Sequence, residues 1–422
     1  MTAPEGRQVG VERPGRAVAA LALAHGANDL YMGFLPALLP LIVERLGLSL
    51  TLAGALVSMV NLASQVTQPI LGHSADRVGR RLLVIVGPLV TTLSMASLGL
   101  MNSYQALLIA LLCGSFGNSA FHPQGAALTG KIGLGRRSPA ASKDARPGAS
   151  GRGGAAERSG AAMAIFAAGG NIGYGLGPVL VISIVNLLGQ QFTWLTIPIG
   201  LAAVAFVIAA VPTAVDVPSQ RPPEAAATTR RHWLLPLIIL WLVVALRAAV
   251  ATLFTTFVPL LIARRHEALM LGGWALLGFS LSGALGGLIG GPASDRLGRR
   301  SVTVVSLVLA APAFYLFLHA HGIASAALLL VTGACVYAAL PVNLVMAQEM
   351  LPRRASLVSG LMMGLAWAAG GMSTTVVGVL ADRLALTLGP AGGLEHALDG
   401  VALISLAAAA LALMLPETRR GR

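Results

Sequence analysis

A carboxylate in the middle of an apolar stretch is costly to keep. This sequence places one there, Asp29, within Leu23-Ala-His25-Gly-Ala-Asn28-Asp29. At 1.5 Å per residue it lies roughly 18 Å along a helix that starts near residue 17. His25 stands four residues before Asp29 and three before Asn28, so the three share one helical face. A buried acid beside an imidazole is a candidate to take up and release a proton, so Asp29 and His25 are the proton-coupling candidates and Asn28 a substrate contact. The alternative reading of the face is a hydrogen-bond network between helices.

A second polar group stands in Asn118-Ser-Ala-Phe121-His122-Pro123-Gln124. Asn118 is one turn from His122, and Pro123 frees backbone carbonyls, as a helix that lines a cavity tolerates. Arg247 lies inside another apolar run with no carboxylate within a helical turn, so its partner comes from another helix or from a ligand. An anionic substrate group, or Asp29 across the cavity, would serve. Asn61, Gln65 and Gln68 form a polar stripe at spacings of four and three, which suits a pathway or an interhelical hydrogen-bond ladder. Asn61, Gln65, Asn118, His122 and Arg247 complete the substrate-binding candidates. The run Gly169-Gly170-Asn171-Ile-Gly173-Tyr-Gly175-Leu-Gly177-Pro178 offers small residues where two helices approach closely.

The elements that position these groups follow from composition. The chain has 422 residues, 56% hydrophobic and only 11% charged, with a mean hydropathy of +0.78. Soluble domains carry about 25% charged residues, so the sequence reads as an all-α polytopic membrane protein. Twelve apolar runs are long enough to span, near 17–43, 48–71, 82–101, 104–130, 160–188, 192–212, 233–262, 269–291, 301–320, 322–348, 356–380 and 399–416. No cleavage site follows residues 1–16, so the first run is expected to be retained as a helix behind a short cytoplasmic tail. Residues 131–159 and 213–232 are rich in Pro, Gly, Ala, Ser and Arg and read as disordered cytoplasmic loops. The second divides a six-helix half, 17–212, from another, 233–416, ahead of a tail at 417–422.

A repeat supports that division. Gly72-His-Ser-Ala-Asp76-Arg77-Val-Gly79-Arg80-Arg81 and Gly291-Pro-Ala-Ser-Asp295-Arg296-Leu-Gly298-Arg299-Arg300 share G-x-x-x-D-R-x-G-R-R at an offset of 219 residues. Each follows the second run of its half. The glycines allow close helix ends, the aspartate can accept from a helix N-terminus, and the arginines can bridge to acids across the gap, so both loops read as gates. Duplicated six-helix halves place a substrate between them near the bilayer midplane.

The formal charge of +13 invites nucleic acid, but the arginines cluster between apolar runs. With alternate loops on opposite sides, 24 Lys and Arg fall on the side of both termini; Arg45, Arg264, Arg265 and Arg383 fall on the other. The positive-inside rule accounts for this with cytoplasmic termini and no nucleic-acid partner. Cys113 and Cys335 both lie in apolar runs, so no metal site is expected from cysteine spacing. Gly125-Ala-Ala-Leu-Thr-Gly130-Lys131-Ile132 approaches a phosphate loop but lacks its Ser or Thr and the preceding strand. No G-x-S-x-G elbow, H-E-x-x-H helix or paired intramembrane aspartates occurs, so an enzyme is not expected.

The twin loops resemble the signature of the major facilitator superfamily, over essentially the whole chain. Within it, His25-Gly-Ala-Asn28-Asp29, Phe121-His122-Pro123 and Gly169-Gly170-Asn171-Ile-Gly173 resemble the fosmidomycin resistance efflux proteins. Gly173-x-x-x-Gly177-Pro178 is similar to a fifth-helix motif of drug/proton antiporters. Gln124 departs from the pattern, standing where some relatives carry an acid. The resemblance implies a bacterial inner-membrane exporter of a small solute, anionic or drug-like. It would be driven by the proton gradient without a cofactor, with Asp29 as protonation site. Lipid and a small molecule are the expected partners, and the chain is expected to work as a monomer. Proton-coupled uptake of a nutrient or organic anion uses the same midplane residues.

Overall fold

The computed structural model describes residues 13–134, 151–212, 233–351 and 354–418, without the side chains of 72–78, 133–134, 151–160, 355 and 356. The loop residues 135–150, the linker 213–232 and the terminal tails 1–12 and 419–422 lie outside them. The described residues are almost entirely helical. Hydrocarbon leaves no water for backbone groups, so each apolar run satisfies them internally.

The first half holds α1 (Pro14–Leu46), α2 (Leu50–Val78), α3 (Arg80–Ala96), α4 (Tyr104–Leu134), α5 (Gly151–Leu188) and α6 (Ile197–Ala210). The second holds α7 (Leu234–Arg264), α8 (Leu269–Leu297), α9 (Arg299–His319) and α10 (Gly322–Met350). It ends with one helical stretch that runs to Leu413, of which Leu357–Leu413, 57 residues, is apolar enough to span. At 1.5 Å per residue that is about 85 Å, nearly three times a hydrocarbon core of about 30 Å. The stretch folds back at Gly389, whose φ of 74° and ψ of 169° are not helical. A Cβ on Gly393 would meet the backbone of Ala385 and Ala381, as a hairpin requires. The chain therefore has α11 over 355–388 and α12 over 390–413, which makes twelve spans. The last begins about nine residues before the apolar run at 399–416, because Glu395 and Asp399 sit inside it at its polar end.

Helix also runs past the ends of the expected 131–159 loop, through Leu134 and from Gly151. Gly79 (φ 96°) and Gly298 (φ 98°) open α3 and α9 with the same left-handed backbone, so the sequence repeat is also a backbone repeat. Only glycine adopts that geometry without strain.

The two halves meet through α2 with α11, α5 with α8, and the second part of α1 with α7. Along α2 these contacts begin at the end that carries Gly47. Leu50 N–H and Thr51 N–H donate to the Asp382 carboxylate at 3.0 and 2.8 Å, and the Thr51 hydroxyl donates at 2.7 Å. Deeper, Ser58 bonds the Gly371 carbonyl (3.1 Å) and the hydroxyls of Thr374 (2.9 Å) and Thr375 (2.7 Å). Across the bundle, Gly273 of α8 packs on Pro178 and Ile182 of α5. The bundle is held shut at this end, opposite the two repeated loops.

Candidate functional site

Helix α1 carries His25, Asn28 and Asp29 inward on one face, and α5 closes over them. Gly169, Gly173 and Gly177 follow one another at intervals of four, and a Cβ at each would collide with the backbone carbonyls of Ala22, Gly26 and Leu30. This is a small-residue seam that lets two helices touch backbone to backbone. Gly170 has a different task, since a Cβ there would come within 2.8 Å of Asp29 Oδ2 and clash with the His25 ring. Pro178 packs under Gly33, where α1 changes from its first helical stretch to its second. Asn171 is exposed and lies off the seam, unlike the glycines beside it.

The seam assembles a compact polar cluster. His25 Nδ1 lies 2.7 Å from the Phe166 carbonyl oxygen. A carbonyl only accepts, so this nitrogen carries a proton and the tautomer is set. The Phe166 ring stacks on the imidazole at 4.1 Å, locking its orientation. His25 Nε2 then points at Asp29 Oδ2, 3.2 Å away. With Nδ1 already protonated, neutral His25 would set a lone pair against a carboxylate oxygen, so this approach places a further proton between the two groups.

The other carboxylate oxygen, Asp29 Oδ1, receives the Asn28 amide at 3.0 Å and stands 3.1 Å from His122 Nε2. His122 comes from α4 and also reaches Asn118 Oδ1 at 2.8 Å, as the i, i+4 spacing requires. The Asn28 amide donates to the same oxygen at 2.6 Å. Asn118 in turn donates to Ser64 on α2 at 3.4 Å, and the Ser119 hydroxyl reaches the Ser64 carbonyl at 2.8 Å. Five of the residues chosen from sequence, His25, Asn28, Asp29, Asn118 and His122, thus form one connected network. The Phe166 carbonyl, Ser64, Ser119 and Gly170 complete it without any local motif.

Arg247 lies elsewhere, on α7 in the second half. It is 0% exposed, and none of its three guanidinium nitrogens has a hydrogen-bond partner among the described residues. Its charge sits over the Trp367 ring, 5.2 Å from the centroid. Trp367 follows a π-helical turn at Leu361–Leu365, a local distortion frequent at functional sites. The Trp367 indole N–H and Gln65 Oε1 are likewise buried without partners. Asp29 is not the counter-charge of Arg247, because its oxygens are taken by His25, His122 and Asn28. Asn61 does not join the cluster either. Its amide turns back to the Val57 carbonyl at 2.9 Å, and it packs on Gly371 at the crossing of α2 and α11.

The repeated loops are braced within each half. Arg81 donates to the carbonyls of Val211 (2.8 Å) and Ile208 (3.0 Å) at the end of α6, while Arg80 is half-buried. The side chains of Gly72, Asp76 and Arg77 lie outside the described residues. In the second loop, Arg299 pairs with Asp295 (2.7 Å) and Glu349 (3.1 Å), and Arg300 reaches the Leu415 carbonyl at 3.4 Å. The carboxylate on the N-terminus of α9 is Glu417, not Asp295; it accepts from the N–H groups of Arg299 and Arg300 at 2.8 and 3.3 Å. Gly291 and Arg296 stand in the same loop, with Arg296 exposed. The contacts described for Arg81, Arg299 and Arg300 all lie within their own half, with Arg299 bridging from its loop to Glu349 of α10.

Two pseudo-symmetric six-helix halves around buried polar groups define the class of secondary membrane transporters. The chain belongs to the Major Facilitator Superfamily, whose model matches residues 21–374 and 240–422. It is 28% identical over 378 residues to the fosmidomycin resistance protein of Escherichia coli (strain K12), with 87% of each chain covered. It is 25% identical over 393 residues to the uncharacterized transporter YfnC of Bacillus subtilis (strain 168), covering 89% and 90%. Among solved structures, the nucleoside transporter NupG superposes with a TM-score of 0.75 at 14% identity, over 94% of this chain and 99% of that one. An inward-facing, unoccupied bacterial homologue of the lysosomal transporter Spinster gives 0.72 at 15% identity, over 96% and 97%. The protein is an integral membrane transporter and not an enzyme.

Proposed function

We propose that the protein exchanges protons for a small anionic solute across a bacterial inner membrane, in the direction of export. The observation that carries this reading is the 3.2 Å approach of His25 Nε2 to Asp29 Oδ2, which the hydrogen-bond pattern fills with a proton. Removing that proton leaves a buried acceptor pair facing each other, a state costly enough to favour rearrangement of α1 against α5. Asp29 is the carrier, His25 shares its proton, and His122 with Asn28 holds the second oxygen.

The solute binds at Arg247. An arginine fully buried beside an aromatic face, with no partner of its own, is matched by a carboxylate or phosphonate that accepts its forked N–H groups. The name of the Escherichia coli relative adds weight to an acidic, drug-like cargo and to export. Coupling follows if the halves rock only when proton or solute is bound. In that cycle the Asp382 contacts to α2 open while the repeated loops close. The end that bears Arg80, Arg81, Arg299, Arg300 and Arg354 faces the cytoplasm, by the charge asymmetry of the loops. One chain supplies both halves and works as a monomer.

The test uses inside-out membrane vesicles, acidified by respiration and challenged with fosmidomycin and a panel of small anions. Export by exchange predicts proton release on addition of a substrate, lost in Asp29→Asn. Solute-independent proton release, or release unchanged in that variant, would refute the assignment.

A further inference from the structure

His25 and Asp29 from α1 and His122 from α4 are not only proton acceptors. They offer two imidazole nitrogens and a carboxylate whose ligand atoms all lie within 4.8 Å of one another. We propose that these three residues form a binding site for a borderline divalent metal ion of the zinc(II) class, with one coordination position open to the bundle interior.

The geometry is close to a preformed ligand set. A four-coordinate zinc with bonds of about 2.0–2.1 Å has ligands about 3.3 Å apart at the edges of its tetrahedron. His25 Nε2 is 3.2 Å from Asp29 Oδ2, and His122 Nε2 is 3.1 Å from Asp29 Oδ1. The two contacts fall on different oxygens of the carboxylate, so Asp29 would ligate through both oxygens, or through one after a small turn of His122 that draws in a ligand set already within 4.8 Å.

The surroundings match what metal-binding histidines require. Such a ligand commonly donates its remote N–H to a carbonyl, which aims the other lone pair at the ion. His25 does this through Nδ1 to Phe166 at 2.7 Å. Asn28 holds Asp29 Oδ1 from behind at 3.0 Å, a support of the kind that orients a ligating carboxylate. When His122 Nε2 becomes a ligand its proton moves to Nδ1, and Asn118 Oδ1 retains the Asn28 amide as donor at 2.6 Å.

Access and selectivity follow from the same residues. The His25 side chain is 10% exposed, Asp29 17% and His122 28%, so the cluster is reached from the His122 side. Two imidazoles among three ligands favour zinc, cobalt or nickel over magnesium and calcium, which prefer oxygen. The Gly170 position leaves the volume beside His25 and Asp29 clear. The ion occupies the place assigned above to a proton, so the two exclude each other. The inference shares those residues but rests on ligand geometry, not on the direction or cargo of transport.

The experiment uses the full-length protein in detergent, stripped with a strong chelator. Zinc is titrated against a chromophoric competitor, and cobalt is added in parallel for its tetrahedral absorption in the visible. One equivalent is expected, weakened at least about 100-fold in His122→Gln and in Asp29→Asn, with the cobalt bands lost. Both variants are scored only as monodisperse protein, and the pair guards against misfolding of either. His319→Ala removes a histidine outside the site that is paired with two carboxylates, Glu395 and Asp399, and leaves binding unchanged. No stoichiometric binding in the folded parent, binding retained in both site variants, or binding lost with His319 would each overturn the proposal. Metal binding without proton exchange would refute only the proton assignment, and proton exchange without metal binding only this one.

Discussion

Asp382 is the most exposed test of how the two halves are held. Its carboxylate accepts three hydrogen bonds from the first turn of α2, two from backbone N–H groups and one from the Thr51 hydroxyl. It thus acts as the N-cap of α2, supplied by the opposite half. Replacing a capping side chain costs about 1 kcal/mol, loss of the charge at a helix N-terminus adds about 0.3–1 kcal/mol, and a charged hydrogen bond to a hydroxyl adds about 1 more after solvent screening. Asp382→Ala should therefore weaken closure at this end by about 2–3 kcal/mol, a shift of about 30- to 150-fold in the closed-to-open ratio. Asp382→Asn, which keeps an acceptor but no charge, should fall between. The assay is the labelling rate of Ala53→Cys, a position fully buried behind this contact, by a membrane-impermeant thiol reagent in a background lacking Cys113 and Cys335. Labelling should accelerate by the same factor as the open fraction grows. A rate within about twofold of the parent would refute the idea that these bonds hold the end shut.

Other consequences are checked by simpler means. Arg247→Met removes a buried, unpartnered charge at similar volume, so thermal unfolding in detergent should show a gain of about 1–4 kcal/mol while stabilisation by anionic ligands disappears. Gly173→Val drives two methyl groups into the Gly26 carbonyl and should cost about 3 kcal/mol or more, seen as a lower melting temperature and yield. Gly170→Ala is milder for packing but displaces Asp29 Oδ2, 2.8 Å from the new Cβ. Proton-coupled flux should fall about tenfold to 100-fold with the melting temperature nearly kept.

Much of the fold is visible in the sequence because lipid imposes long apolar runs and the duplicated loop marks the halves. The same local logic finds the α1 face, since His25, Asn28 and Asp29 lie within one helical turn. His122 and Asn118 stand out as polar residues in apolar surroundings. Their joining to Asp29 spans about ninety residues and depends on how α4 meets α1, which no spacing encodes. Phe166 acts through a backbone carbonyl and Gly170 through the absence of a side chain, so neither leaves a chemical signature. Asp382 reads as an ordinary loop charge until α2 is placed beside it. Asn61 misleads for the opposite reason: its stripe is polar, yet its amide is satisfied by its own helix. The start of α12 was hidden because Glu395 and Asp399 interrupt its hydropathy. Both are paired, with Arg265 at 2.8 Å and His319 at 2.8 Å.

The central claim is that Asp29 couples protons to solute movement. The measurement is solute exchange by Asp29→Asn protein in proteoliposomes, compared with and without an imposed proton gradient. The account predicts that preloaded solute still exchanges for external solute while the gradient no longer drives accumulation. Gradient-driven accumulation at the parent's level in the same variant would contradict it.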